Sequence, residues 1–208
     1  MALFLVSCAA AQSAPPTALL VVGNSISRHG PDPTIDWNGD WGMAASGQDK
    51  DFAHLTAAAL NLPLTIENGG STERDPAAGS AVLLDKLSAE VTPQTLVILE
   101  LGDNVQPVNL NAFAPAYGQL AQIGSKGSSL ICLSTYWTNP HTDQVLRSAC
   151  RAHRGTFVSI GDIFPSTENP DYQGPPAFAR PGVQRHPHDW SMQQIADRVI
   201  AAARRTGQ

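Results

Sequence analysis

The sequence predicts an α/β fold, a parallel β-sheet covered by helices on both faces. Two observations carry that reading. Short apolar runs alternate along the whole chain with amphipathic stretches, which is the signature of strand–helix–strand units. The runs are also continuously apolar rather than alternating with polar residues, as expected of strands buried on both faces.

Five runs read as strands, at about 18–22, 64–68, 95–101, 129–134 and 156–160. Helical stretches separate them at about 49–60, 76–90, 110–123, 143–154 and 190–204. The last helix is the clearest. Met192, Ile195, Ala196, Val199, Ile200 and Ala203 recur at helical spacing on one face. Ser191 with Gln194 has the spacing of a capping box. Arg204 and Arg205 suit the negative C-terminal end of the helix dipole.

Two segments interrupt the rhythm. Residues 28–48 are rich in Gly and carry Trp37 and Trp41; residues 161–188 are rich in Pro and carry Tyr172 and Phe178. Loops this long inside a compact domain are usually functional or disordered. Both leave C-terminal ends of strands, where open α/β sheets place their crevice.

A chain of 208 residues suits one domain, spanning 17–208 after a distinct N-terminal segment at 1–16. With 42% hydrophobic and 15% charged residues it can fill a core and is not a disordered chain. A net charge of −5 argues against nucleic acid or an anionic membrane as main partner. Met1–Ala14 is apolar, then small and polar, and leads into Pro15-Pro16. It reads as the end of an export signal, the other reading being a frayed tail. Leu5-Val6-Ser7-Cys8 also looks like a lipoprotein box that would place a lipid anchor on Cys8. Export would put Cys132 and Cys150 in an oxidising compartment. A helix returning antiparallel to its strand could bring them together; two buried free thiols is the competing reading.

The chemistry-bearing residues sit at strand ends. Gly23-Asn24-Ser25-Ile26-Ser27 follows the first run, Asn68-Gly69-Gly70 the second and Gly102-Asp103-Asn104 the third; His186-Pro187 stands before the last helix. A serine hydroxyl becomes a nucleophile when a base takes its proton, and imidazole, with an ordinary pKa of about 6.5, can do so near neutral pH. Taken singly, each residue has a plain alternative: Ser25 as a helix cap, Gly70 and Asn104 as turn residues, His186 as an exposed loop histidine. His188 is its rival. Glu100 lies in an otherwise apolar run beside Asp103. These acids either tune the crevice or pair with an arginine such as Arg74. Trp37 and Trp41 offer flat faces to a sugar or apolar group, or form the small core that a long loop needs. His29, Asp32, Asp36, His186, His188 and Asp189 have no metal-binding spacing, so no metal and no cofactor is expected.

Taken together these four strand-end and loop residues resemble the SGNH (GDSL-like) hydrolases, from about residue 18 to the end. The run Trp41-Gly42-Met43-Ala44-Ala45-Ser46 is similar to a subgroup of that family. The resemblance implies a three-layer α/β/α sandwich with a flavodoxin-like strand order. It implies Ser25 as nucleophile, His186 as general base, and an oxyanion hole made by Ser25 N–H, Gly70 N–H and the Asn104 amide. The chain departs from the pattern twice. Val105 follows the asparagine where the family has Asp, and Val183 stands three residues before the histidine where the family has an acid. A backbone carbonyl at Val183 or a neighbour, Asp189, Asp162, or no orienting group could take that acid's place; the carbonyl or a bare Ser–His dyad is favoured. If the loop has the family's conformation, Val183→Asp should hold or raise activity.

The expected activity is hydrolysis of a small acyl ester, acetyl foremost, on a carbohydrate. An O-acyltransferase of the same fold and a glycan-binding module with weak catalysis are the alternatives.

Overall fold

A computed structural model describes residues 15–164, 169–173 and 175–206. The leader reading for residues 1–16 and the Cys8 lipid site therefore fall almost wholly outside the described residues. The element order is β1 (Ala18–Gly23), α1 (Phe52–Leu60), β2 (Leu64–Asn68), α2 (Gly70–Arg74), α3 (Pro76–Glu90), β3 (Thr95–Glu100), α4 (Leu110–Gly124), β4 (Ser129–Leu133), α5 (Pro140–Ala152), β5 (Thr156–Val158), α6 (Pro181–Gln184) and α7 (Asp189–Thr206). The five strands form one sheet in the order β2-β1-β3-β4-β5, every pair parallel. This is the expected sandwich.

Alternate residues of each strand fill two cores. Leu19, Val21, Leu96, Ile98, Ile131 and Leu133 pack on one face with Phe52 and Ala53 of α1 and Met192, Ile195 and Val199 of α7. Leu20, Val22, Val97, Leu99, Leu130 and Cys132 pack on the other with Leu83 and Leu87 of α3, Phe113, Tyr117 and Leu120 of α4, and Leu146 of α5. The inner strands β1, β3 and β4 are thus buried on both faces and show no polar alternation, whereas edge strand β2, Leu64-Thr65-Ile66-Glu67-Asn68, alternates and is partly exposed.

Three details differ from the sequence reading. Strand β5 stops at Val158, and α5 begins at Pro140, where Asn139 Oδ1 accepts Thr142 N–H as its cap. Short α2 and α6 carried no periodic signal. The Ser191–Gln194 capping box is not the cap of α7. The helix starts earlier, and Asp171 from the preceding loop receives the N–H groups of His188, Trp190 and Ser191 at 2.9–3.2 Å. Ser191 is fully buried, its Oγ accepting from Asn169 and Tyr136. A carboxylate brought from another segment outcompetes the local serine because it meets several free N–H groups and the positive end of the dipole at once.

Cys132 and Cys150 form a disulfide between β4 and α5, with Cα atoms 6.1 Å apart. It closes a sequence separation of 18 residues, which restricts the unfolded chain by about 3 kcal/mol in the loop-entropy picture. Replacing both cysteines with alanine should lower the unfolding free energy in urea by about that amount. An unchanged midpoint would show that the bond does not form in solution.

Candidate functional site

Strand β1 ends at Gly23, where a Cβ would collide with the Ser27 side chain and the Glu100 carboxylate. The chain then turns tightly. Asn24 Oδ1 accepts Ile26 N–H at 3.1 Å, and Asn24 C=O accepts the N–H groups of Ser27 and Arg28 at 3.1 and 3.0 Å. The turn leaves Ser25 half-buried at the crevice. Its Oγ lies 2.9 Å from His186 Nε2, although 161 residues separate the two.

The imidazole is fixed from behind. His186 Nδ1 is 2.7 Å from the Gly182 carbonyl, and His186 N–H donates to Val183 C=O at 3.0 Å. A carbonyl can only accept, so Nδ1 carries the proton and Nε2 presents a lone pair to the Ser25 hydroxyl. Burial pushes the His186 pKa down to about 4, with the Gly182 bond opposing that shift. The ring is neutral, and therefore a base, across the physiological range. Trp137 packs its edge on the same ring, centroids 4.9 Å apart, while its Nε1–H donates to Arg185 C=O. Tyr172 O–H donates to His186 C=O at 2.9 Å.

The group on Nδ1 is thus a backbone carbonyl of α6, one residue before Val183. Neither alternative carboxylate reaches it. Asp189 accepts Ser46 N–H and Oγ–H at 2.8 and 2.6 Å, and Asp162 pairs with Arg198. His188 points its Nε2 at Gln184 C=O. Val183 itself is buried with Trp37, Met43 and Ala44. The expectation that Val183→Asp would hold or raise activity is corrected here: it would put a carboxylate into an apolar cluster, where it is destabilising.

Gly70 and Asn104 meet Ser25 and His186 around one cavity of about 260 Å³, which His29, Met43 and Arg74 also line. Gly70 N–H currently donates to Asn68 Oδ1 at 2.9 Å. One Asn104 Nδ2–H donates to Glu73 Oε2 at 2.9 Å, which leaves the other amide hydrogen for the cavity. Glu73 is fully buried and was not singled out by sequence. Its oxygens also accept Gly102 N–H at 2.6 Å, Asn104 N–H at 3.3 Å and the Asn24 side-chain amide at 3.1 Å. Gly102 turns there with φ of +128°, a conformation L side chains rarely adopt.

The two acids of β3 and its exit brace the turns and make no pair with Arg74. Glu100 Oε2 accepts Asn24 N–H and Ser27 Oγ–H, and Oε1 is buried without a partner. Burial raises its pKa well above the usual carboxylate range, and the neighbouring Asp103 charge pushes the same way. Asp103 Oδ1 accepts Trp137 N–H at 3.0 Å, and burial raises its pKa to about 7.

Trp37 and Trp41 belong to the loop's own core rather than the cavity wall. Their rings meet edge to face at 5.7 Å, Trp37 Nε1–H donates to His29 C=O, and Trp41 Nε1–H donates to Ala45 C=O. Trp37 is only 3% exposed, which leaves no face for a ligand. Trp137 is the aromatic that sequence reasoning missed; its place just after β4, at the crevice end of the sheet, was the available signal. Among the described residues no group of three His, Cys, Asp or Glu is placed to hold a metal, and no helix is long and apolar enough to cross a membrane.

No protein-family model matches the sequence, and no curated protein matches it. Solved structures do. A protein named TesA aligns with a TM-score of 0.55 at 16% identity, over 91% of this chain and 99% of its own. Axe2 from Geobacillus, an acetyl-xylooligosaccharide esterase, aligns at 0.56 and 15%, over 92% and 96%. A GDSL-like lipase from Parabacteroides merdae aligns at 0.57 and 13%, over 92% and 98%. The chain has the α/β/α fold of the SGNH (GDSL-like) hydrolases.

If His186 serves as the base of an ester hydrolysis, the burial that holds its pKa at about 4 should keep kcat/KM level from about pH 8 to about pH 5.5 and let it fall only below that. Protonation of Nε2 ends proton acceptance, so loss runs with falling pH. An inflection near 6.5 in a kcat/KM profile would contradict the buried imidazole. Asp189→Asn and Asp162→Asn should each keep kcat within about tenfold, whereas loss of a true orienting aspartate costs about 10⁴.

Proposed function

We propose that the chain is an SGNH-type serine esterase that removes a small acyl group, acetyl foremost, from a carbohydrate hydroxyl. The observation that carries the reading is the Ser25–His186 hydrogen bond, with the imidazole tautomer set by Gly182. Ser25 Oγ attacks the ester carbonyl as its proton passes to His186 Nε2. Negative charge gathers on the carbonyl oxygen, where Ser25 N–H, Gly70 N–H and the Asn104 amide are the proposed donors. Gly70 N–H would exchange Asn68 Oδ1 for that oxygen. The intermediate collapses, Nε2–H protonates the leaving alkoxide, and an acyl-serine remains. Water, deprotonated by the same nitrogen, then releases the acid and restores Ser25.

The size and lining of the cavity support a small acyl group and a polar alcohol. Asn24, Asn68 and Arg74 line the cavity with polar groups, and the aromatic faces expected of Trp37 and Trp41 are not among its lining. The acetyl-xylooligosaccharide esterase among the structural neighbours gives the substrate class its precedent. Export is part of the proposal. The apolar-then-small N-terminal segment and the disulfide both suit an oxidising compartment.

Ser25→Ala should abolish hydrolysis of p-nitrophenyl acetate, and loss of the hydrogen bond to His186 should cost about 1 kcal/mol of stability. A serine-directed phosphonate should label Ser25; labelling of Ser27 or Ser71 instead would refute the assignment. Asn104→Ala should lower kcat by about 10²–10³ with little change in KM, because the amide acts on the transition state. A large rise in KM at unchanged kcat would make Asn104 a substrate-holding residue.

A further inference from the structure

Helix α2 sends adjacent charges in opposite directions. Glu73 is fully buried, and Arg74 is exposed and lines the cavity that holds Ser25 and His186. The guanidinium nitrogens lie 3.5 and 3.6 Å from the point where a Cβ on Gly70 would stand. The arginine head therefore lies in van der Waals range of Gly70, beside the proposed oxyanion donors. The backbone is pinned there, since Asn109 Nδ2 donates to Arg74 C=O at 2.8 Å.

The acids that could neutralise this arginine are engaged elsewhere. Glu67 pairs with Lys86 at 2.8 Å, and Asp40 pairs with Arg28 at 2.8 Å. Asp75 accepts Ala78 N–H as the cap of α3. Glu73 is turned to the N–H groups of Asn24, Gly102 and Asn104. Among the described residues the guanidinium has no ion pair, and no carboxylate lines the cavity. In a chain of net charge −5 the cavity wall carries one fixed charge, and it is positive.

We propose that Arg74 binds a carboxylate on the substrate, so that the site takes an acidic ester in preference to a neutral one. This rests on the esterase reading above and narrows its substrate class. The planar guanidinium matches a carboxylate with two parallel N–H···O bonds. One arginine balances one negative charge, which suits a carboxylate better than a doubly charged phosphate. The carboxylate could sit on the alcohol half, as in an acetylated uronic acid, or on the acyl half, as in a hemisuccinate.

The test compares kcat/KM for three esters: O-acetyl methyl galacturonoside, O-acetyl methyl galactoside and O-succinyl methyl galactoside. The wild type should favour one of the two acidic esters over the neutral one by about tenfold or more, a preference that shrinks with added salt. The ester favoured identifies which half carries the charge. Arg74→Gln should remove the preference, chiefly through KM, with a far larger loss on the acidic ester than on the neutral one. Equal turnover of all three by the wild type would overturn the proposal and leave the esterase reading standing. Equal loss on acidic and neutral esters in Arg74→Gln would also overturn it, by placing the arginine at the oxyanion. Turnover of none of them, nor of p-nitrophenyl acetate, would instead remove the esterase reading itself.

Discussion

The buried carboxylate of Glu73 joins the parts of the crevice to one another. It receives N–H groups from the exit of β1 through Asn24 and from the exit of β3 through Gly102 and Asn104. Taking a charge out of water costs several kcal/mol unless the protein replaces the lost hydration, and here four N–H donors do so. The same bonds choose the orientation of the Asn104 amide, since a flipped amide would set its oxygen against a carboxylate. One interaction therefore makes α2, β1 and β3 converge and aims the donor that the proposed chemistry needs.

The sheet was legible because its strands are continuously apolar and regularly spaced, which is what burial on both faces requires. Ser25, Gly70, Asn104 and His186 were legible as a group through the resemblance to the SGNH hydrolases, and parallel topology is what brings the three strand exits among them to one edge, whatever their sequence separation. Other contributors left no local signal. Glu73 sits in the polar run Ser71-Thr72-Glu73-Arg74, where nothing marks one side chain as buried and the next as exposed. The Gly182 carbonyl is a backbone group, and any residue type supplies one. Asp171 caps a helix some 20 residues away, beyond the reach of a spacing rule. The error over Val183→Asp has the same root: spacing counts residues and does not show that α6 turns position 183 toward Trp37 and Met43.

The two long loops act as one support for the His186 imidazole. Trp37, Phe178 and Val183 pack together across them, and Asp36 pairs with Arg180 at their rim. Beneath, Tyr136, Tyr172, Ser191 and Asn169 form a hydroxyl and amide chain that ends on the His186 carbonyl. The aromatic residues of these loops thus hold the histidine in place through packing and hydrogen bonds. The imidazole is fixed without a carboxylate as third member. A carbonyl sets the tautomer, and burial keeps the ring neutral, while an imidazolium formed in the proposed turnover would receive less stabilisation than an aspartate gives.

That arrangement is the central claim, and nitrogen NMR of the histidine side chains reads it directly. At pH 7 the His186 ring should carry its proton on Nδ1, with Nε2 unprotonated, and should titrate near the value of about 4 that burial gives it. The Nδ1 signal should be absent from its place in a His186→Gln variant, which fixes the assignment. A proton on Nε2 at neutral pH, or a titration at or above about 6.5, would contradict the account, because the base would then face Ser25 with a proton of its own.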